Sequence, residues 1–139
     1  MRRNVLSKAK KGLLAVLLAT GVVGCSSIGR DVGAPPDPQQ QVKELAAGRW
    51  KALVAGDLAK AYEYLSPGTR EAMSLEAYKK RLNPAGWKKA EVVSVACEQE
   101  RCDAVIMLEY SFGELKSIQT RLDEVWLEEG GKWWHVPRK

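Results

Sequence analysis

Histidine and free cysteine are scarce in this chain of 139 residues, which holds one His and three Cys. With His135 as the only imidazole, a His-based metal cluster is excluded, and so is any relay that needs two histidines. There is one Phe, no internal repeat, and no acidic residue in the first 24 positions. The G-x-S-x-G, H-E-x-x-H and phosphate-loop patterns are all missing, which removes the commonest hydrolase, metalloprotease and nucleotide signatures. No metal ligand set and no cofactor are expected.

Long apolar runs are also scarce. Gly12 to Val23 is a stretch of 12 residues broken only by Thr20 and Gly21, whereas spanning a bilayer takes about 20. It follows Arg2, Arg3, Lys8, Lys10 and Lys11 and ends on small residues. A basic start, a short apolar core and a small residue before the cut describe a secretory signal peptide. A transmembrane anchor is the competing reading.

Val22-Val23-Gly24-Cys25 resembles the lipobox of bacterial lipoproteins. That resemblance implies diacylglycerol on the Cys25 thiol, cleavage between Gly24 and Cys25, and acylation of the new amino terminus. The chemistry suits the pattern, since small residues admit a peptidase to the backbone and a thiol supplies the nucleophile. Buried methylenes contribute about 0.8 kcal/mol each, and stable anchoring takes two lipid signals or more. An ordinary signal peptide that happens to meet a Cys is the alternative. Ser26, where lipoproteins kept in the inner membrane tend to carry Asp, implies the periplasmic side of the outer membrane.

The basic balance of the chain belongs to this leader. Whole, the chain has 22 Lys and Arg against 17 Asp and Glu. Without the five leader cations the two signs are equal, at 17 each. A nucleic-acid partner is therefore not expected, because phosphate binding needs a basic face that survives processing. Residues 25–38 begin with the lipidated Cys25 and continue as a tether rich in Ser, Gly and Pro, its prolines favouring extended backbone. Residues 39–139 are enough for one core and one domain.

With Cys25 assigned to lipid, Cys97 and Cys102 remain as a pair. In an oxidising compartment a disulfide is the expected state. Two thiols do not complete a metal site, and a redox pair more often has C-x-x-C spacing. The residues between them, Glu98 to Arg101, suit a hairpin loop.

Val42, Leu45, Ala46, Trp50, Leu53 and Val54 recur at helical spacing. Gly56-Asp57 stops that helix, and Asp57 is placed to cap a second, with Leu58, Ala61, Tyr62 and Leu65 on its buried stripe. Ser66-Pro67-Gly68 reads as its end, followed by a short helical turn over Thr69 to Met73. Ser74 caps the third helix. From Gly86 the period becomes two. Strands are expected over Glu91 to Cys97, over Cys102 to Phe112, after Gly113-Glu114, and over Lys132 to Val136 beyond the Gly130-Gly131 turn. Cys102, Ala104, Ile106, Leu108, Tyr110 and Phe112 share one face by alternation, as do Ile118, Thr120, Leu122, Glu124 and Trp126.

The expected fold class is α+β: three N-terminal helices packed on a curved four-stranded antiparallel sheet. The stretch Arg49-Trp50-Lys51-Ala52-Leu53, then Gly56-Asp57, then Ala61 to Arg70, resembles small bacterial lipoproteins with a nuclear transport factor 2-like domain. The paired cysteines and the Trp-rich last strand extend the resemblance over roughly 39–137. It implies a cone-shaped domain, and it leaves activity open because this fold hosts enzymes and binders alike.

Candidate pocket residues are Tyr62, Arg70, Tyr110, Glu124, Trp126 and Trp134. Glu124, among apolar strand neighbours, is the best candidate for a buried acid. A salt bridge to Arg121 or to a neighbouring strand is its structural alternative, while Glu109 falls on the opposite face. Arg70 would neutralise a ligand at the cone mouth or tie its turn to Glu63 or Glu71. Adjacent Trp133 and Trp134 must point to opposite faces, so one of them marks a contact surface. The expected function is a non-enzymatic module, tethered to the membrane through Cys25, that binds a small apolar ligand or a protein partner. Homodimerisation through the sheet face goes with it. The alternative is a ketosteroid-isomerase-like or hydrolase-like enzyme using Glu124 or His135.

Overall fold

Four capped helices precede an antiparallel meander. The computed structural model describes residues 36–138; the leader, Gly24, Cys25 and most of the tether lie outside them. The helices are α1 (Pro38–Val54), α2 (Leu58–Tyr62), α3 (Pro67–Ala72) and α4 (Leu75–Arg81). The strands are β1 (Trp87–Glu98), β2 (Arg101–Phe112), β3 (Leu115–Glu129) and β4 (Lys132–Val136), paired in sequence order. The described residues lie within one compact unit.

Local chemistry sets the helix starts. Asp37 accepts from the Gln39 amide at 3.2 Å, so Pro38 is the first turn of α1 and not extended tether. A missing N–H costs nothing at that position. Asp57, Ser66 and Ser74 cap α2, α3 and α4 in the same way. Ser66-Pro67 therefore starts a helix, whereas the end of one is expected from the sequence. The short turn expected over Thr69 to Met73 is a helix in its own right, so the described residues hold four helices where three are expected.

The β1–β2 turn is tighter than a four-residue loop. Glu98 pairs with Arg101, leaving Gln99 and Glu100 as a two-residue turn with Gln99 at φ 53°. Cys97 and Cys102 oppose each other in register at disulfide-bonding distance. A register shift between Tyr110 and Phe112 overrides the alternation at the end of β2. Phe112, expected to face inward, is 73% exposed and pairs across the next turn with Leu115, itself 63% exposed.

The buried stripe of α1 (Val42, Ala46, Trp50, Leu53) lies on the inner sheet face made by Ala104, Ile106, Leu108 and Trp126, with Leu65 from the segment between α2 and α3 and Tyr78 from α4. The free edge of β4 is covered by chain. His135 N–H donates to the Tyr64 carbonyl at 2.8 Å, and Ser66 N–H donates to the His135 carbonyl at 3.1 Å. Such cover removes an edge that would otherwise invite pairing.

Candidate functional site

Two places could carry function: the polar centre of the core, and a cleft beside β4. The centre is built on Glu124, 5% exposed. Its Oε1 accepts from the Arg49 guanidinium and from Trp50 Nε1 at 2.8 Å, and its Oε2 accepts from Trp126 Nε1 at 3.2 Å. The expected partner, Arg121, turns outward to Asp123 instead. Burial pushes the Glu124 carboxyl up from its ordinary value, and Arg49, Trp126 and Trp50 push it back. All three neighbours are donors, so the carboxylate is the form that the arrangement satisfies.

Arg49 and Trp50 are not among the pocket residues expected from the sequence. Yet Arg49 falls seven residues after Val42 and three after Ala46, inside the apolar stripe of α1. A cation on the buried face of a helix requires a buried anion, and that signal was legible.

His135 faces the same centre, its ring 5.6 Å from that of Trp126. It is 6% exposed, and its Nδ1 has no hydrogen-bond partner among the described residues. Burial first, and the nearby Arg49 charge second, lower its pKa from 6.5 to about 2. His135 is thus a neutral core residue at any ordinary pH. Burial likewise raises the Tyr78 hydroxyl, against the pull of Arg49.

The other candidates disperse. Tyr62 donates to the Met73 carbonyl at 2.8 Å and stacks on Tyr78, pinning α3. Arg70 ties to neither Glu63 nor Glu71; its guanidinium lies over the Trp134 ring at 5.5 Å. Tyr110 pairs with Trp87 and Ile118 at the far end of the sheet, and Glu109 accepts from Ser117. Trp133 is buried, and Trp134 is the half-exposed member of that pair.

The cleft beside β4 has a volume of about 370 Å³ and lies between Gln41 and Leu45 of α1, the end of α2, and the β3–β4 turn. Leu45, Tyr64, Trp133 and Trp134 wall it, with Lys60, Glu63 and Lys132 at the lip. Of the six pocket candidates, Trp134 alone lines it. Tyr64 is held from three sides: its carbonyl is bonded to β4, its ring meets Trp126 edge-on, and its hydroxyl sits over Gly48. A larger cleft of about 570 Å³ lies against α3 and the C-terminal residues, with Arg81 and Arg138 on it and no aromatic wall. Among the described residues, no group of three or more His, Cys, Asp or Glu is arranged to hold a metal ion.

No protein-family model and no curated protein matches the chain. Solved structures do. A SEC-C motif containing protein from Rhodopseudomonas palustris matches at 13% identity and a TM-score of 0.54, over 67% of this chain and 73% of that one. A candidate NTF2-like transpeptidase from Campylobacter jejuni matches at 12% identity and a TM-score of 0.53, over 70% and 98%. The fold is nuclear transport factor 2-like. At such identities the likeness reaches the fold and stops there. In this nuclear transport factor 2-like domain both oxygens of the buried Glu124 are taken by donors, while Tyr78 Oη and His135 Nδ1 near it have no hydrogen-bond partner among the described residues, and the aromatic cleft lies outside that cluster.

Proposed function

We propose that the chain is an exported lipoprotein whose domain is a binding module. In this reading residues 1–24 are removed between Gly24 and Cys25. Cys25 carries the lipid, and the tether holds the domain on the periplasmic side of the outer membrane. The ligand or partner engages the cleft walled by Leu45, Tyr64, Trp133 and Trp134.

One observation carries the choice of binder over enzyme. Glu124, the best candidate acid, has both oxygens occupied by donors from Arg49, Trp50 and Trp126. A general acid or base needs a free lone pair or proton aimed at a substrate, whereas here the carboxylate is a structural counterion. The transpeptidase description of the Campylobacter protein is not carried over. Acyl transfer calls for a nucleophile activated by a base, while Cys97 and Cys102 are paired with each other and His135 is buried.

The cleft favours a ligand because its volume falls within the roughly 300–1,000 Å³ of small-molecule sites, and such sites are aromatic-walled and largely preformed. A homodimer through the outer sheet face is compatible with this reading. Native mass spectrometry of the exported, processed chain tests it. The expected result is Cys25 as the acylated first residue and a retained small-molecule adduct that Trp134→Ala removes. An adduct that survives Trp134→Ala and is lost with a substitution in the larger cleft would move the site there.

A further inference from the structure

We propose that the cleft beside β4 takes an anionic amphiphile, an alkyl chain ending in a carboxylate or phosphate. The inference rests on the reading of this cleft as the ligand site and adds the class of ligand. Its walls and its lip differ in kind. Leu45, Tyr64, Trp133 and Trp134 present mainly aliphatic and aromatic surface, and the Trp134 indole donates to the Glu129 carbonyl. At the lip stand Lys60 and Lys132, from the end of α2 and the start of β4.

Ion pairing of the exposed cations is uneven. Lys79, Lys89, Arg101 and Arg121 each meet a carboxylate within 3.3 Å. Neither Lys60, Lys132 nor the third lip residue, Glu63, belongs to any ion pair among the described residues. Lys43, Lys51, Lys80 and Lys116 also have no carboxylate partner among the described residues, so the lysines of the lip matter for where they stand, above an apolar wall. Two unmatched ammonium groups over an apolar pit suit a ligand that brings its own anion, with its chain below. Glu63 opposes that charge and sets how strongly the anion is preferred.

The fixed Tyr64 wall makes the cleft ready-shaped. With its hydroxyl over Gly48 and its ring on Trp126, Tyr64 need not be reordered when a chain enters, so less affinity is lost to ordering. A free fatty acid and a phosphorylated alkyl chain share this chemistry, and the probes below separate them.

The experiment is isothermal titration calorimetry on the chain without its first 24 residues and carrying Cys25→Ser, which keeps every described element. Decanoate, decyl phosphate, decanol and decyltrimethylammonium are compared below their micelle concentrations. We expect one site per chain, with the better anion binding roughly tenfold more tightly than decanol, as charge-assisted contacts do, and the cation weakest. Lys60→Met with Lys132→Met should erase that advantage, Glu63→Gln should enlarge it, and added salt should shrink it. Whether decanoate or decyl phosphate leads names the head group. Equal binding of decanol and both anions, unmoved by the lysine changes, would overturn the anionic class while leaving the cleft as an apolar site. No heat from any alkyl probe would overturn both the class and the cleft reading.

Discussion

Breaking the Arg49–Glu124 pair is the most informative perturbation. Both side chains are nearly dry, at 7% and 6% exposure, so solvent screening does little to soften the loss. Arg49→Met leaves the Glu124 carboxylate buried with two indole donors and no countercharge. Removing one partner of a buried pair costs about 3–5 kcal/mol. Glu124→Gln strands the guanidinium and turns an amide N–H₂ toward neighbours that are all donors, a loss of the same order. In a domain of this size each kcal/mol moves the melting temperature by about 4–8 °C, so either variant should melt at least roughly 12 °C lower. Arg49→Met with Glu124→Gln removes both charges and keeps one acceptor for Trp50. Because the sites are in contact, the double variant should be less destabilised than the sum of the singles by about 2 kcal/mol or more. Urea and thermal unfolding followed by circular dichroism on all four proteins gives the cycle. Single variants within about 1 kcal/mol of the parent, with no coupling, would refute the structural-counterion argument and return Glu124 to the list of candidate acids.

Three further outcomes follow from single features. His135 has its folded pKa lowered to about 2 from 6.5, so the unfolded chain binds the extra proton between those values and stability falls as pH drops. Against His135→Phe, the parent should lose about 1.4 kcal/mol per pH unit below about 6.5. Glu124, shifted the other way, is common to both and cancels; equal acid limbs in urea titrations would sink the claim. A methyl group at Gly48 would lie 2.6 Å from the Tyr64 hydroxyl. Gly48→Ala should therefore destabilise by about 1–3 kcal/mol despite its better helix propensity, and adding Tyr64→Phe should restore stability. No rescue in thermal melts would mean that Tyr64 is not the obstacle. Reducing the Cys97–Cys102 bridge releases a short loop constraint on the unfolded chain and should cost about 2 kcal/mol, read as a shift in urea midpoint with and without reductant.

The order of elements was legible because it rests on local rules. Helical spacing, the Asp57 and Ser74 caps, and the Gly113-Glu114 and Gly130-Gly131 turns act over a few residues, and helices and strands lie where these signals indicate. The α+β class follows from helices running before strands, and the cysteine pairing from parity and closeness in sequence. Where the reading missed, a local signal had two meanings or a bulge intervened. Ser66-Pro67 suits both the end of one helix and the start of the next, and the shift near Tyr110 turned Phe112 outward where strict alternation put it inside.

The site was another matter. That Glu124 would be buried could be read from its strand, but that its oxygens would meet Arg49 and Trp50 of α1 was decided by packing across 75 and 74 positions of chain. Arg70 on Trp134, and Tyr64 between Gly48 and Trp126, are likewise products of how α1, α3 and β4 settle against each other. Periodicity says which face of an element is buried; it does not say which buried groups meet. That depends on crossing angles and register, which the whole core sets at once, and it made the central carboxylate a counterion and left the aromatic cleft open.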